Sequence, residues 1–426
     1  MTNTPTTLPT RQDLLCRYHA VRARSESLCA PLEPEDYVVQ SMPDCSPAKW
    51  HLAHTSWFGE TFLLKPYVPG YQSPHPQYDY LFNSYYNTIG ERHCRAARGL
   101  VSRPTVADVY RYRAHVNKHM AALIETSDDA QFAEIASLVE LGLHHEQQHQ
   151  ELLVTDLKNM FHANPLAPVY RERAATKADQ GGAAQAQWLA FPEGLRCIGY
   201  AGNGFFFDNE GPRHPDFVAG FALASRPVTN REWLAFMDDG GYGKPEHWLS
   251  QGWATVQAQG WRAPLYWWDK PGAGWQAFTL SGMKALRLDE PVCHVSLFEA
   301  DAYASWAGAR LPTEAEWEWA SENVPITGRF LEGERYHPAP VSDVPTLSQM
   351  FGDVWQWTRS PYTPYPGFRA APGALGEYNG KFMCNQFVLR GGSCATPQTH
   401  IRRTYRNFFP PDARWQFSGL RLARDL

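Results

Sequence analysis

The spacing of apolar residues changes abruptly near residue 164, and this change limits the fold more than any other feature. Up to that point, apolar positions recur every three or four residues, which is the period of an amphipathic helix. The segments that show this period with few internal breakers are residues 11–30, 46–65, 105–126 and 131–160. Four long amphipathic helices with a crossover loop, roughly residues 66–104, predict a four-helix bundle.

From about residue 188 the chain has short apolar runs separated by Gly and Pro. VLRGGS at 388–393 and SGLRLA at 418–423 are typical of strands that end at tight turns, whereas 298–321 predicts two short helices. The stretch before this region lacks apolar periodicity and predicts a linker. The sequence therefore predicts three parts: a helical domain over 1–163, a linker over 164–187 and an irregular α+β domain over 188–426.

Net charge and cysteine content restrict the partners and the compartment. The net charge of -5 at pH 7 gives no basic field that would attract nucleic acid or an anionic membrane. The eight cysteines include no C-x-x-C pair, so we expect reduced thiols, as in the cytoplasm. No secretory leader pattern is visible at the N-terminus, and no apolar run approaches the length of a membrane span. We therefore expect a cytoplasmic protein that acts on small molecules, with neither nucleic acid nor membrane as a partner.

The sharpest chemical motif is LGLHHEQQHQELLV, residues 141–154. His145 and His149 are four residues apart, so on a helix both imidazoles project from one face and can bind one metal ion. A solvated polar face is the plain alternative for such a pair. Here, however, apolar residues flank the pair, and imidazoles on a buried stripe need partners. Glu151 is a candidate to orient a ligand, and His144 is expected to point away and to be structural.

A third ligand is expected from WHLAHTSWFGE, residues 50–60, which contains His51 and His54. Because they are three residues apart, we expect that both cannot point directly into the core. Two imidazoles from one helix and one from another leave open positions on Fe(II) or Zn(II), and residue chemistry alone does not choose the metal. A zinc-protease site, suggested by the H-E-Q-Q-H spacing, is disfavoured because the upstream helices predict a bundle site instead.

These motifs occur together, and in the same order, in one known family. The chain contains SPAKWHLAHTSWF, FNSYYN and HHEQQHQELL, followed by PVTNREW, HVSLFEADAYASWAGARLPTEAEWEWA, GDVWQWT, VLRGGSC and YRNFFPPDARWQFSGLRLA. Over nearly its whole length it resembles the ergothioneine sulfoxide synthases and the closely related selenoneine synthases. The resemblance implies a DinB-like four-helix bundle joined to a C-type-lectin-like domain of the formylglycine-generating-enzyme type.

The resemblance also implies a metal and its ligands. In this family three histidines hold Fe(II), one in an L-A-H-T segment and two in an H-x-x-x-H-x-E segment. The matching positions here are His54, His145 and His149, which leaves His51 as a neighbour of the centre.

Contacts to hercynine, the betaine of histidine, fall by resemblance on Gln148, Asn407 and Phe408. An amide side chain can hydrogen-bond an imidazole nitrogen. The rings of Phe408, Trp415 and Phe417 can hold a trimethylammonium group by cation–π attraction. Core packing is the alternative role for each of these rings.

Two departures from the family pattern concern the sulfur donor. The branch that uses γ-glutamylcysteine has an Asp where this chain has Phe409 and an Arg where it has Ala413. These differences favour a smaller thiol such as cysteine, or a selenium donor. In the crossover, Arg92, Arg95 and Arg98 are spaced three apart, and one or two of them are candidates to pair with a donor carboxylate. A solvated basic face is the alternative.

The proton donor also differs from that branch, which uses a Tyr of the second domain after a PYPGF-like segment. Here that region offers only Tyr378, at a different spacing. Another branch uses tyrosines of the crossover, so Tyr85 or Tyr86 is predicted to be the proton donor. Cys384 and Cys394 lack the usual arrangement of a copper-binding pair, and both are expected to be buried structural cysteines.

The chain is therefore predicted to be an Fe(II) enzyme that uses O2 to join hercynine to a thiol as a sulfoxide. Three alternatives stay open. One is a selenoneine synthase that takes a seleno-sugar, and another is a DinB-type transferase that moves a thiol with Zn(II) and without O2. The third, a binding module with a structural metal, is disfavoured because such metals usually have four protein ligands and only three are found here.

Overall fold

The computed structural model describes residues 8–173, 182–341, 346–377 and 379–426. These residues form two compact units that do not strictly follow chain order. The first unit contains the helices up to Ala163 together with Ala201–Asp208 and Arg369–Lys381, and the second contains Asn164–Tyr200, Asn209–Phe368 and Phe382–Leu426. The domain boundaries expected from the sequence, at 163/164 and 187/188, stay a prediction, and residues 174–181 of the linker lie outside the described residues.

The first unit is helical, as the apolar spacing predicts. Its helices are α1 (Arg11–Cys29), α2 (Ala48–Gly59), α3 (Lys65–Tyr67), α4 (Tyr78–Phe82), α5 (Val106–Thr126) and α6 (Asp129–Ala163). The four long ones, α1, α2, α5 and α6, match the four predicted segments within a few residues, except that α2 continues through a π-helical turn, Glu60–Leu64. The predicted crossover loop contains α4 and a 3-10 turn, Arg95–Leu100.

Local sequence explains where the long helices begin. The Thr10 side chain accepts from the backbone N–H of Asp13 at the start of α1. Thr105 and Asp108 form a capping box at the start of α5, satisfying backbone donors that have no partner inside the helix. Pro47 precedes the first residue of α2, where its missing N–H costs nothing. Eleven residues of α2, Ala48 to Phe58, are all buried, so this helix lies in the middle of the bundle.

The second unit combines short strands and short helices. Its strands are β1 (Trp188–Phe191), β2 (Gly194–Ile198), β3 (His214–Val218), β4 (Phe221–Ala224), β5 (Trp267–Lys270), β6 (Gly274–Thr279), β7 (Gly282–Ala285), β8 (Trp355–Pro361), β9 (Phe387–Arg390), β10 (Asn407–Phe409), β11 (Ser418–Gly419) and β12 (Ala423–Asp425). Its helices are α7 (Asn230–Asp238), α8 (Ser250–Gln259), α9 (Leu297–Trp306) and α10 (Glu314–Ala320). The sheets have the orders β1-β4-β12, β10-β9-β8-β11, β2-β3 and β5-β6-β7. In the described part of this unit no strand exceeds seven residues, which fits the predicted α+β domain with little regular structure.

One cysteine prediction is wrong. Cys394 is fully buried, as expected, but Cys384 is exposed because it lies in the connection between the 3-10 turn Gly380–Phe382 and β9. All eight cysteines have free thiols. Among the described residues, no helix combines the length and the apolar character that crossing a membrane requires.

Candidate metal centre

Three histidines of the first unit meet inside the bundle. His54 comes from the middle of α2, and His145 and His149 come from successive turns of α6. One nitrogen from each ring lies within 4.8 Å of the others. The Nε2 atoms of His54 and His145 are 3.2 Å apart, and the His145 and His149 ring centroids are 4.7 Å apart. This is the geometry expected of three nitrogen donors that converge on one small volume.

The hydrogen bonding of the ring nitrogens in this cluster favours the binding of a cation. His54 Nδ1 lies 2.5 Å from the carbonyl oxygen of Phe82, which can only accept, so Nδ1 carries the proton and the Nε2 lone pair faces His145. His145 Nδ1 is buried and, among the described residues, has no hydrogen-bond partner. Whichever nitrogen of His145 is protonated, hydrogen bonds alone do not satisfy both rings. A metal ion would satisfy the two Nε2 lone pairs that face one another, so these residues fit the metal that the family resemblance implies.

All three rings are held in the neutral form that binds metals. Burial lowers the pKa of His145 to about 4. Burial, followed by the neighbouring His145, lowers the pKa of His54 well below its usual value, and burial with the His54 and His145 charges does the same for His149. A neutral imidazole offers a lone pair without first losing a proton, so the cluster is prepared for a divalent cation at neutral pH.

Aromatic rings enclose the cluster on the α2 side. The indole of Trp50 stacks on His54 with centroids 4.6 Å apart, and Phe58 lies 4.6 Å from the His145 ring. The guanidinium of Arg98 covers the Trp50 ring at 3.4 Å. These rings pack against the imidazoles, and the apolar surface that they provide strengthens electrostatic interactions at the centre.

The sequence prediction for His51 and His54 needs a correction, because both side chains are buried, at 3% and 1% exposure. A step of three residues turns a helix by roughly 300°, which leaves the two side chains about 60° apart. A helix in the middle of a bundle buries a face much wider than this. His51 Nδ1 lies 2.9 Å from His149 Nδ1, so His51 contacts a proposed ligand directly.

Sequence reasoning missed Asp156, which lies 3.0 Å from His51 Nε2 and is itself buried. The sequence instead predicts Glu151 as the carboxylate that orients a ligand. Asp156 is seven residues after His149 and eleven after His145, so two and three helical turns bring it to the same face of α6. This periodicity is the sequence feature that identifies it.

The crossover residues lie in the first unit. Tyr85 is half-buried, and its hydroxyl oxygen accepts a 2.7 Å hydrogen bond from Arg95. Tyr86 is buried at 4% exposure, with its ring 5.2 Å from Phe62. Arg92 is exposed and donates to the Ser84 carbonyl oxygen at 2.7 Å. Tyr378 lies outside the described residues.

Arg98 is the buried member of the arginine series, at 4% exposure. It donates to the hydroxyls of Ser46 and Ser84 at 2.8 and 3.2 Å. Burial lowers the pKa of its guanidinium to about 9, which reflects the cost of holding a cation in this position. A solvated basic face is therefore wrong for Arg98, whereas a role of the series in substrate binding stays a prediction.

Gln148 is half-buried on α6, where it directly precedes His149. The remaining predicted contacts belong to the second unit. Asn407, Phe408 and Phe409 are half-buried and form β10, which pairs antiparallel with β9. The Phe408 ring stacks on Tyr362 with centroids 4.1 Å apart.

Trp415 is also half-buried, and its ring contacts Phe409 edge to face at 5.9 Å. Phe417 has no exposed surface and packs 4.9 Å from the His294 ring. Full burial favours core packing over substrate contact for Phe417.

Comparison with known proteins assigns both parts of the chain. The DinB superfamily model matches residues 17–153, and the model of the sulfatase-modifying factor enzyme 1-like domain matches residues 175–346 and 343–426. A hercynine oxygenase of Mycobacterium tuberculosis is 34% identical over 446 aligned residues, which cover 97% of this chain and 99% of that protein. The chain belongs to the ergothioneine sulfoxide synthase family.

Two further relatives agree with this assignment. The hercynine oxygenase of Mycolicibacterium smegmatis is 34% identical over 91% of this chain and 93% of its own length. Ergothioneine biosynthesis protein 1 of Schizosaccharomyces pombe is 29% identical over 52% of this chain and 28% of its own. The family membership and the two-domain fold class expected from the sequence are therefore confirmed, whereas the roles of individual site residues stay predictions.

Proposed function

We propose that this member of the family is an Fe(II)- and O2-dependent enzyme of ergothioneine biosynthesis that joins hercynine to cysteine as a sulfoxide. The observation that carries the proposal is the cluster of three imidazoles, the buried His54 and His145 and the half-buried His149, whose nitrogens lie within 4.8 Å of one another. The full-length relatives named hercynine oxygenase support the substrate and the use of oxygen. The free cysteines support a reducing, cytoplasmic location.

When bound, Fe(II) supplies the reduction of O2 that is coupled to C–S bond formation and sulfur oxidation. The overall reaction is balanced. The imidazole C2–H and the thiol S–H bonds are lost, a C–S and an S–O bond form, and O2 provides the sulfoxide oxygen and one water. Three protein ligands leave open positions at such a metal, which a closed structural site does not.

The protein residues hold the substrates and move a proton. We propose Tyr85 as the proton donor, with Tyr86 as the alternative, because Arg95 donates to the Tyr85 oxygen and would stabilise it as the proton leaves. Arg92 or Arg95 would pair with the carboxylate of the thiol donor.

Hercynine is proposed to bind through Gln148 and Asn407, whose amides can hydrogen-bond its imidazole or carboxylate. Phe408 and Trp415, both half-buried, are proposed to contact its trimethylammonium group. Phe409 occupies the position where the γ-glutamylcysteine branch has an Asp, which is why a smaller donor is proposed.

The proposal is tested by loading the protein with Fe(II) without oxygen and then measuring O2 uptake and product mass. Hercynine is supplied with cysteine, γ-glutamylcysteine or a seleno-sugar, each separately. We expect O2-dependent sulfoxide from cysteine. A selenium adduct alone would assign the chain to the selenoneine synthases. No O2 uptake with any donor, together with thiol transfer that requires Zn(II), would replace the proposal with the DinB-type transferase.

The ligand assignment has its own test. His54→Ala should lower the Fe(II) content after anaerobic loading at least about tenfold, because one of three nitrogen donors is lost. Iron content is measured after gel filtration, and a circular dichroism spectrum checks that the helices remain. Unchanged iron in His54→Ala contradicts the assignment.

A further inference from the structure

Asp156 is held in place by several donors. Its Oδ2 accepts from the backbone N–H of Ser46 at 2.8 Å and lies 3.0 Å from His51 Nε2. Burial first, then the nearby Asp156, raises the pKa of the Cys45 thiol, so the thiol stays protonated and adds no second negative charge beside the carboxylate. The carboxylate is only 7% exposed. It therefore has a fixed position from which it can orient its neighbours.

The hydrogen bonds continue from Asp156 to a proposed ligand. An ionised carboxylate only accepts, so His51 Nε2 carries a proton toward Asp156. His51 Nδ1 lies 2.9 Å from His149 Nδ1, and one of these two nitrogens must be the donor. If His51 Nδ1 accepts, His149 Nδ1 carries the proton and its Nε2 lone pair is available to a metal. If His51 donates instead, His149 Nε2 carries the proton and is blocked.

We propose that Asp156 and His51 are positioning residues that fix the ring and the protonated nitrogen of His149, so that its Nε2 faces the metal. This inference rests on the proposed metal site. It deepens that proposal by assigning roles to two residues outside the set of three ligands. Carboxylate–histidine pairs of this kind orient metal ligands and make them more basic.

The same contacts decide between His51 and His54 as the ligand from α2. Both His51 nitrogens are engaged, one with Asp156 and one with His149. His54 Nδ1 is held by the Phe82 carbonyl, and its Nε2 faces His145 Nε2 at 3.2 Å inside the cluster. His51 therefore acts through His149, and His54 is the donor.

The test measures how tightly the metal-free protein, as the whole chain, binds two metal ions. Co(II) binding is monitored by the visible absorption bands of the bound ion. Fe(II) binding is measured without oxygen, in competition with a chelator. Asp156→Asn should weaken binding about 10–100-fold, and it should change the Co(II) bands because the orientation of one donor changes. Thr155→Val is the matched control. Thr155 is buried beside Asp156 on α6, and its hydroxyl bonds the Glu151 carbonyl oxygen. Its affinity should stay within about twofold of the wild type.

A second pair of variants separates hydrogen bonding from packing. His51→Leu removes both contacts and should weaken Co(II) binding as much as Asp156→Asn does. His51→Gln, whose amide can donate to Asp156 and accept from His149, should recover part of the affinity. This pair also carries the test if Asp156→Asn fails to fold, as judged by circular dichroism.

The outcomes distinguish this inference from the proposed function. A wild-type protein that binds neither metal overturns both. The positioning role alone is overturned by a different result. In that case the wild type binds metal, and folded Asp156→Asn and His51→Leu proteins match its affinity and its Co(II) bands. Equal losses in His51→Leu and His51→Gln also overturn it, because the hydrogen-bonding amide then restores nothing.

Discussion

The three proposed ligands differ in what holds the ring nitrogen that does not face the cluster. A backbone carbonyl holds His54, and His51 contacts His149. His145 Nδ1 has no such partner among the described residues. Two rings are therefore oriented before a metal arrives, which reduces the cost of organising the site, while the third can adjust to the ion.

One substitution at each of the two crossover tyrosines tests which of them is the proton donor. Tyr85→Phe should lower kcat by about 10²–10⁴-fold, because it removes the hydroxyl that we propose as the proton donor. Tyr86→Phe should change kcat far less, because its buried ring packs among Trp57, Phe58 and Phe62 and keeps this packing without the hydroxyl. Both are measured by sulfoxide formation at saturating hercynine and thiol, with iron content as the control. A larger loss in Tyr86→Phe would reverse the assignment.

At this scale the sequence predicts what depends on local geometry. The spacing of His145 and His149 identifies a ligand pair because four residues make about one helical turn. The sequence did not predict that His51 and His54 would both be buried, since this depends on how many neighbours surround α2. Asp156 is distant in sequence from His51, and only the packing of α2 against α6 brings the two together.

At the scale of the element, α6 carries both the metal cluster and a buried ion network. Glu146, next to His145 in sequence, accepts from Arg22 at 2.8 Å and from Arg113 at 2.6 Å. Burial opposes ionisation of Glu146, but the two arginines outweigh it and lower the pKa of the carboxyl to about 2. The network joins α1, α5 and α6 and thereby fixes the rotation of the helix that presents two of the three histidines.

Glu146→Gln should destabilise the bundle by about 3–5 kcal/mol, because it leaves the buried Arg22 guanidinium without its anion and leaves Arg113 with the Glu26 carboxylate alone. Glu140→Gln on the same helix is the matched control. The Glu140 side chain is 11% exposed, but its partner Arg17 is 42% exposed and can reach water when the pair is lost, so this variant should cost at most about 1 kcal/mol. Urea unfolding followed by circular dichroism measures both, and similar stabilities for the two variants would contradict the prediction.

The C-terminal end of α6 should make the protein sensitive to acid. Burial, with a smaller contribution from Lys158, lowers the pKa of His162 to about 4, whereas an unfolded histidine titrates near 6.5. Between about pH 6.5 and 4 the unfolded chain therefore binds a proton that the folded chain does not, and folding stability falls as the pH falls.

His162→Gln should lose roughly 1–2 kcal/mol less free energy of unfolding on acidification than the wild type does. This estimate is lowered because the His162 ring is partly exposed. Urea unfolding at pH 7 and near pH 4.5 measures it, and His19→Gln, at an exposed position on α1, is the control. The prediction is wrong if both variants lose as much stability on acidification as the wild type.

At the scale of the whole molecule, the first unit includes two segments from far along the chain, Ala201–Asp208 and Arg369–Lys381. Apolar periodicity predicts the bundle helices because each helix is a local pattern. It cannot predict which later loops return to the bundle, since such contacts depend on tertiary packing. The sequence predicted a structural role for His144, and the partner that the structure gives it, Phe205, comes from one of these returning segments.

The returning segment should therefore stabilise the helix that carries the proposed ligands. Phe205 stacks on His144 with ring centroids 4.0 Å apart and an interplanar angle of 12°, and it contacts Phe207 edge to face. Phe205→Ala should lower the stability of the first unit by about 1–2 kcal/mol, less than for a fully buried ring because Phe205 is half-buried. Phe217→Ala is the control, since that ring on β3 is 62% exposed. Hydrogen exchange read by mass spectrometry should show faster exchange in α6 around His144 for Phe205→Ala only. Unchanged exchange there would contradict the prediction. It would mean that the packing of α6 against the other bundle helices stabilises it without the contact to Phe205.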